Sequence, residues 1–150
     1  MGIVTAVTGA TRGLGRGIAR EFASKGATVV VTGRNEADLA QVADEIEQRG
    51  GTPITIACDH SDDESVASAF ARIKAEAGGI DILVNNAAAV HAMDLIAPGP
   101  FWEKPLHLVD MIDVGLRSNY VAAWHAAPIM AKAGKGLIAS ISFYGAVSYF

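Results

Sequence analysis

The chain has 150 residues, of which 51% are hydrophobic and 19% charged, and its formal net charge is −4. This length suits one domain with a substantial core, and the absence of a basic stripe argues against a nucleic-acid partner. A single cysteine, Cys58, excludes an internal disulfide, and no apolar stretch approaches the roughly 20 residues that span a bilayer. We therefore expect a cytoplasmic protein without a membrane partner.

The first predicted element is a strand that runs directly into a glycine-rich turn. Residues 4–17 read VTAVTGATRGLGRG, and apolar Leu14, Ile18 and Phe22 then recur on one helical face. Glycines at such a turn permit positive φ and the close approach of a ligand. The free N–H groups and the positive dipole at the start of the helix attract an anion such as a pyrophosphate. The spacing Gly-x-x-x-Gly-x-Gly therefore predicts a dinucleotide site.

The rest of the chain alternates strands with helices. Further strands are predicted at residues 27–32, 54–57, 80–84 and 137–142. Helices are predicted to begin at an Asn35 cap and at a capping box opened by Ser61, and to cover about residues 108–132 with a kink at Pro128. Residues 89–105 are expected to form an irregular loop. This order predicts one α/β domain over residues 1–150, a doubly wound parallel sheet of the Rossmann type in three layers.

Two motifs of the chain resemble those of the short-chain dehydrogenase/reductase family. Residues 8–15, TGATRGLG, look like the cofactor motif of that family, and residues 85–88, NNAA, look like its Asn-Asn-Ala-Gly motif. The resemblance covers essentially the whole chain. It implies an NAD(P)-dependent oxidoreductase that interconverts an alcohol and a carbonyl of a small-molecule substrate by hydride transfer. It also implies a homo-oligomer, since the long helix of family members commonly packs against its twin.

Candidate cofactor residues lie at the carboxyl ends of the predicted strands, where ligands of such sheets bind. After the second strand, Arg34 stands beside the place where an acid would bind the ribose hydroxyls of NAD. Arg12 and Arg34 together predict a site for the 2′-phosphate of NADP(H), with NAD(H) as the second choice; the alternative is two solvated surface arginines. The predicted cofactor-binding residues are Gly9, Thr11, Arg12, Gly13, Leu14, Gly15, Arg34, Asp59, Asn85 and Ala87.

Two of these assignments, and one departure from the motif, rest on the family resemblance. By resemblance Asp59 faces the adenine amino group, although a cap of the next helix explains it equally well. By resemblance Asn85 fixes the central sheet and borders the ribose, with a simple turn asparagine as the alternative. Ala88 replaces the usual glycine of the second motif, and its extra methyl crowds the approach to the cofactor slightly.

The catalytic pattern of the family is incomplete in this chain. Ser142 is the predicted catalytic serine, and Phe143 stands where family members often carry a second serine. Gly115 replaces the helical asparagine, as in a branch of the family that this chain resembles, and Asn119 is displaced by one helical turn of about 5.4 Å. The sequence contains no Tyr-x-x-x-Lys. We therefore expect an amino-terminal portion of a longer enzyme, inactive alone.

A second hypothesis belongs to a different class of function. The missing asparagine, Phe143 and the missing tyrosine also suit a non-catalytic dinucleotide-binding module with a regulatory or redox-sensing role. Metal chemistry is not expected. His60, His91, His107 and His125 show no metal-ligand spacing with carboxylate or thiol partners and are interpreted as surface or packing residues.

Overall fold

The computed structural model describes residues 2–142, in which five strands alternate with helices. The strands are β1 (Val4–Val7), β2 (Thr28–Gly33), β3 (Thr52–Ala57), β4 (Ile82–Asn85) and β5 (Leu137–Ser140). The helices are α1 (Gly13–Ser24), α2 (Glu36–Gln48), α3 (Asp63–Ala77), α4 (Ala92–Ile96), α5 (Asp110–Ile112) and α6 (Ser118–Ala133). Within this range no helix combines the length and the apolar character needed to cross a bilayer.

All five strands are parallel and form one sheet in the order β3-β2-β1-β4-β5. The chain moves outward from β1 to β3 and then returns past β1 to add β4 and β5. The strand order therefore reverses between β1 and β4, the point where such sheets open a crevice for ligands. The predicted doubly wound Rossmann-type sheet is confirmed.

Helices cover both faces of the sheet and form two hydrophobic cores. One core joins the sheet to α3 and α6 through residues such as Phe70, Ile73 and Met130. The other joins it to α1 and α2 through residues such as Val42 and Ile46. Consecutive valines of β2, at 29–31, are all fully buried because both faces of the strand are covered, as their unbroken apolar run predicts.

The two predicted helix starts have different outcomes. Asn35 caps α2, since its side-chain oxygen accepts a hydrogen bond from the Asp38 N–H at 3.1 Å. The capping box predicted at Ser61 is wrong, because Asp62 caps α3 by accepting from the Glu64 N–H at 3.0 Å. The Ser61 hydroxyl instead donates a hydrogen bond to Asp59 Oδ1, before the start of α3, at 2.7 Å.

The region between β4 and α6 differs from the predicted loop and single long helix. Residues 89–105 contain α4 and a 3₁₀ turn, Phe101–Glu103, and a second 3₁₀ turn, Leu106–Val109, leads into α5. A π-helical turn, Asp113–Arg117, then separates α5 from α6 and contains Gly115. No residue from 91 to 117 is buried. This stretch, residues 91–117, is called the outer segment below.

Candidate functional site

A cleft of about 910 Å³ opens at the carboxyl ends of the strands, beside the point where the strand order reverses. Most of the predicted cofactor residues line it, namely Gly9, Thr11, Arg12, Leu14, Arg34, Asp59 and Ala87. Among the described residues, Gly13, Gly15, Asn85 and Ser142 are not part of this lining. The cleft lies at the edge of the sheet where the sequence predicts a ligand, and the structure separates residues that line the cleft from residues that do not.

The glycines of the first turn have separate structural reasons. Gly9 and Gly13 adopt φ of +61° and +56°, a region that disfavours side chains. A Cβ on Gly9 would also lie 2.8 Å from the Cα of Ala87, and a Cβ on Gly15 would lie 2.3 Å from Asn86 Nδ2. Gly9 and Gly15 therefore let the turn pack directly against the strand end that follows β4.

Thr8 and Asn86 hold these two chain segments together. The buried Thr8 hydroxyl accepts hydrogen bonds from the backbone N–H groups of Asn86 and Ala87 at 2.9 and 3.0 Å. In return, Asn86 Nδ2 donates to the carbonyl oxygens of Thr8 and Gly9 at 2.9 and 3.0 Å. The sequence analysis assigned no role to Asn86, although the paired asparagines after a strand were a signal for it. The backbone of the glycine turn is thereby fixed from both sides.

The start of α1 is open to an anion. Arg12 occupies the N-cap position with extended backbone, its side chain forms no capping hydrogen bond, and the first turn of α1 contains no acidic residue. The first N–H groups of a helix have no partner within the helix, so the start of α1, where Arg12 and Leu14 line the cleft, offers N–H donors and the positive end of the dipole. Leu14, beside them, is 60% exposed. An anionic group has donors here, and the acidic residues that line the cleft, Asp38, Asp59, Asp110 and Asp113, lie on other elements.

Two exposed guanidinium groups flank this helix start. Arg12 and Arg34 line the cleft, and neither forms an ion pair within residues 2–142. Arg16 is different, because its Nε donates to Glu45 Oε2 at 2.9 Å on the outer side of α1 and α2. The charge of Arg12 and Arg34 thus remains available to a ligand in the cleft.

Asp59 presents a carboxylate at the end of β3. Its Oδ1 accepts hydrogen bonds from the N–H and the hydroxyl of Ser61 at 2.9 and 2.7 Å. These bonds, with a smaller contribution from the positive charge of Arg34, hold the pKa of Asp59 below its ordinary value. The alternative assignment of Asp59 as the cap of α3 is wrong, since Asp62 has that position.

His60 is a buried polar residue that the sequence analysis treated as surface or packing. Its Nε2 lies 2.7 Å from Thr32 Oγ1, which accepts a hydrogen bond from the Gly9 N–H at 3.1 Å. Burial lowers the pKa of His60 to about 4, so the imidazole is neutral at pH 7. A neutral imidazole can accept a hydrogen bond from the Thr32 hydroxyl. This bond connects the ends of β2 and β3 to the glycine turn.

Asn85 lies below the cleft and fixes the central sheet. Its side chain is almost fully buried, and its Nδ2 donates to the Asn119 carbonyl at 3.2 Å and lies 3.5 Å from Ser140 Oγ. Asn119 in turn donates through Nδ2 to the Gly115 carbonyl at 2.8 Å, within the π-helical turn. The predicted role of Asn85 in fixing the sheet fits these contacts, while its place beside a ribose stays a prediction.

The serine at the end of the fifth strand, Ser140, and the serine after it, Ser142, are both exposed. Ser140, which the sequence analysis expected to be buried in the strand, is exposed at the sheet edge, so that expectation was wrong. Ser142 is the second residue after β5 and remains the candidate catalytic serine. Phe143, in the position of the second serine, lies outside the described residues.

A smaller hollow of about 390 Å³ lies over α3 and α6. It is lined by Asp63, Arg117, Tyr120, Val121, Trp124 and His125. It contains none of the residues of the glycine turn, and Arg117 and Asp63 neutralise each other there through paired hydrogen bonds. The larger cleft is therefore the better candidate for a functional site.

Comparison with known sequences identifies the family. The sequence profile described as short chain dehydrogenase matches residues 3–149. The chain belongs to the short-chain dehydrogenase family.

Among curated members, human dehydrogenase/reductase SDR family member 1 is 42% identical over 151 residues, covering 99% of this chain and 48% of that protein. The 1-cyclohexenylcarbonyl-CoA reductase of Streptomyces collinus is 34% identical, covering 96% and 49%. The chain thus spans about half the length of the curated relatives it matches.

Solved structures of short-chain dehydrogenases have the same fold. A metagenomic short-chain oxidoreductase in complex with NADP matches with a TM-score of 0.88 and 35% identity, covering 99% of this chain and 65% of that chain. A 7 alpha-hydroxysteroid dehydrogenase complexed with NADH and 7-oxo glycochenodeoxycholic acid matches with a TM-score of 0.87 and 31% identity, covering 99% and 56%. The suspected family and the Rossmann-type fold are both confirmed.

Proposed function

We propose that this chain binds NADP(H) in the cleft at the carboxyl ends of β1 to β4 and supplies the cofactor-binding part of an oxidoreductase. The observation that carries the proposal is the uncapped start of α1 beside two guanidinium groups, Arg12 and Arg34, that form no ion pair within residues 2–142. A dinucleotide pyrophosphate suits the helix start. A 2′-phosphate suits two arginines, one of which, Arg34, directly follows β2, where an acid would bind the ribose hydroxyls of NAD.

The residues of the cleft fit the remaining parts of such a cofactor. Gly9 has no Cβ, so the turn packs directly on Ala87, and both residues line the cleft. Asp59, held ionised by Ser61, is an acceptor for the adenine amino group. Asn86 donates a hydrogen bond to the Gly9 carbonyl. His60 contacts the Thr32 hydroxyl, which accepts a hydrogen bond from the Gly9 N–H, so both side chains fix the turn. A bound nicotinamide cofactor supplies hydride chemistry, and this chain contributes its binding and orientation.

The relatives support the same class of cofactor and reaction. Two structural neighbours are described as complexes with NADP or NADH, and the curated relatives include reductases and a 3beta-hydroxysteroid dehydrogenase. We therefore propose interconversion of an alcohol and a carbonyl of a small molecule, with Ser142 donating a hydrogen bond to the substrate oxygen. A cytoplasmic location and a homo-oligomer stay predictions of this proposal.

The test is a pair of titrations of the purified protein with NADPH and NADH, followed by nicotinamide fluorescence. Circular dichroism first establishes that each sample is folded. We expect tighter binding of NADPH than of NADH, and we expect Arg34→Ala to weaken NADPH binding about tenfold through loss of a charged phosphate contact. NADH binding of Arg34→Ala should hardly change.

Arg49→Ala is the matched control, since Arg49 is an exposed arginine at the far end of α2 and outside the cleft. It removes the same charge at the opposite end of α2 and should leave both affinities unchanged. Equal weakening by the two variants would mean that Arg34 acts only through net charge. A folded protein that binds neither nucleotide would contradict the proposal.

A non-catalytic dinucleotide-binding module is the second candidate. Gly115 offers no side chain in place of the helical asparagine, and the 150 residues contain no Tyr-x-x-x-Lys. Reading the coding sequence past Phe150 discriminates the two functions. A Tyr-x-x-x-Lys soon after that residue, together with NADPH oxidation by the longer protein on ketone substrates, supports the enzyme. Nucleotide binding without turnover supports the regulatory module.

A further inference from the structure

The outer segment contains the sequence His-x-x-Asp twice, and neither copy contributes to the cofactor proposal. The first copy is His91 to Asp94, at the N-cap and within α4. The second is His107 to Asp110, from the 3₁₀ turn before α5 to the first residue of α5. The fold crosses the two copies, so that each histidine faces the aspartate of the other copy.

The crossing brings four potential metal ligands into one cluster. His107 Nε2 lies 2.8 Å from Asp94 Oδ2, and His91 Nε2 lies 3.4 Å from Asp110 Oδ2. The two imidazole rings meet edge to face with their centroids 4.8 Å apart. One ligand atom each from His91, Asp94 and His107 lies within 4.8 Å of the other two. The cluster will be called the His–Asp cluster.

One atom of the His–Asp cluster has no adequate partner in the protein. His91 Nε2 is buried and forms no hydrogen bond within residues 2–142. Asp110 Oδ2 lies 3.4 Å from it, but the contact does not have hydrogen-bond geometry. A buried polar atom without a hydrogen bond costs free energy. A cation at the centre of the cluster would use the lone pair of this nitrogen.

We propose that His91, Asp94 and His107 bind a divalent transition metal of the zinc class, with Asp110 as the fourth ligand. Two imidazoles and two carboxylates form a donor set that suits Zn²⁺, whereas Mg²⁺ and Ca²⁺ prefer oxygen ligands alone. Zinc bonds of about 2.0–2.2 Å place tetrahedral ligand atoms roughly 3.4 Å apart. The His107–Asp94 hydrogen bond, at 2.8 Å, would open to reach that spacing, whereas His91 Nε2 and Asp110 Oδ2 are already 3.4 Å apart.

The His–Asp cluster is accessible to an ion from solvent and lies beside the cleft. The four side chains are between 31% and 51% exposed. The outer segment has no buried residue. Within it, Lys104 Nζ donates a hydrogen bond to the Leu95 carbonyl of α4 at 3.1 Å. Because His91 and Asp110 also line the cleft, a metal here would fix one wall of it. This proposal does not rest on NADP(H) binding.

The sequence analysis predicted no metal ligand, because ligand spacing along the chain was its only criterion. His91 and His107 are separated by α4 and a 3₁₀ turn, and only the folded outer segment brings them together. The remaining histidines are suitable controls. His60 is buried against Thr32, and His125 stacks on Phe70 with ring centroids 5.8 Å apart.

The test is a titration of tag-free, chelator-treated protein with Zn²⁺ by calorimetry, repeated with Co²⁺ by visible absorption. We expect about one ion per chain and Co²⁺ bands of a four-coordinate site. His91→Ala and Asp94→Asn should each weaken Zn²⁺ binding by about tenfold or more, comparable with changes to other metal sites. His125→Ala should bind as the unaltered protein does.

Thermal unfolding followed by circular dichroism supplies the second readout. Zn²⁺ should raise the Tm of the unaltered protein and of His125→Ala, and should not raise that of His91→Ala or Asp94→Asn. The isosteric Asp94→Asn guards against a folding defect. The absence of Zn²⁺ binding, or binding that His91→Ala and Asp94→Asn leave intact, would overturn the proposal and leave the cluster as two crossed His–Asp contacts.

Discussion

The glycine turn and the outer segment both border the cleft, but they are held in place by different forces. Around the turn, buried Thr8, Thr32 and His60 exchange hydrogen bonds with the backbone or with one another. In the outer segment no residue is buried, and large apolar side chains such as Phe101 and Leu106 are more than 80% exposed. Its polar contacts are ion pairs and carbonyl contacts at the surface.

This difference separates a preorganised part of the site from an adaptable part. Breaking a buried hydrogen bond leaves an unsatisfied group without access to water, whereas the partners of a surface ion pair are solvated when they separate. The glycine turn should therefore keep its shape with or without a ligand. The outer segment is the part whose conformation a ligand can change.

The largest expected effect is the loss of the Thr8 hydroxyl. Thr8→Val leaves the N–H groups of Asn86 and Ala87 without their acceptor, which should reduce the free energy of unfolding by about 3 kcal/mol in urea titrations. Thr5→Val is the matched control, since Thr5 lies in β1, the strand that leads into Thr8. The Thr5 hydroxyl is buried without a hydrogen-bond partner in residues 2–142, so its removal should be neutral or stabilising. Equal losses of unfolding free energy in both variants would mean that the hydrogen bonds of Thr8 to Asn86 and Ala87 do not stabilise the protein.

A smaller effect should appear as a dependence of stability on pH. The pKa of His60 is about 4 in the folded protein against an ordinary value of 6.5. The unfolded chain therefore binds the extra proton first as pH falls, so stability is complete above pH 6.5 and is lost towards pH 4. Between pH 7 and pH 5 this should remove about 2 kcal/mol from the free energy of unfolding.

His60→Gln tests the origin of that loss, since an amide can still bond to Thr32 Oγ1 but does not titrate. Urea titrations at pH 7 and pH 5 should show a much smaller difference for His60→Gln than for the unaltered protein. Identical pH dependence in both proteins would assign the loss to groups other than His60. Asp59 and Asp81 would not account for it, because their pKa values are lowered from 3.8 and their contribution is lost only below that pH.

The smallest effect is expected in the outer segment. Arg117 pairs with Asp63 through two hydrogen bonds, but both side chains are about half exposed. Arg117→Ala should therefore shift the midpoint of urea unfolding far less than Thr8→Val does. A shift as large as that of Thr8→Val would show that the outer segment is as strongly fixed as the turn, and would remove the distinction between the two regions.

Much of the fold was predictable because its signals are local. The apolar run of β2, the Asn35 cap and the glycines before α1 each reflect sequence neighbours, and all appear where expected. The π-helical turn at Gly115 was missed, since the apolar pattern there continues as in a helix.

The candidate site was predictable only at the strand ends. Positions after β1, β2 and β3 follow from topology, so Arg12, Arg34 and Asp59 reach the cleft as predicted. The contacts of Asn86 with Thr8 and of His60 with Thr32 connect residues that are distant along the chain. No spacing rule in a single sequence indicates such pairs. The His–Asp cluster was missed for the same reason.

The central claim is that the cleft at the carboxyl ends of the strands is the cofactor site. Backbone amide NMR of the isotope-labelled protein during NADPH addition tests it most directly, because each residue reports separately. The account predicts the largest shifts at residues 9–15, at Arg34 and at Asp59, with little change at Trp124 in the smaller hollow. Shifts confined to that hollow, or no shift in a folded sample at saturating NADPH, would contradict it.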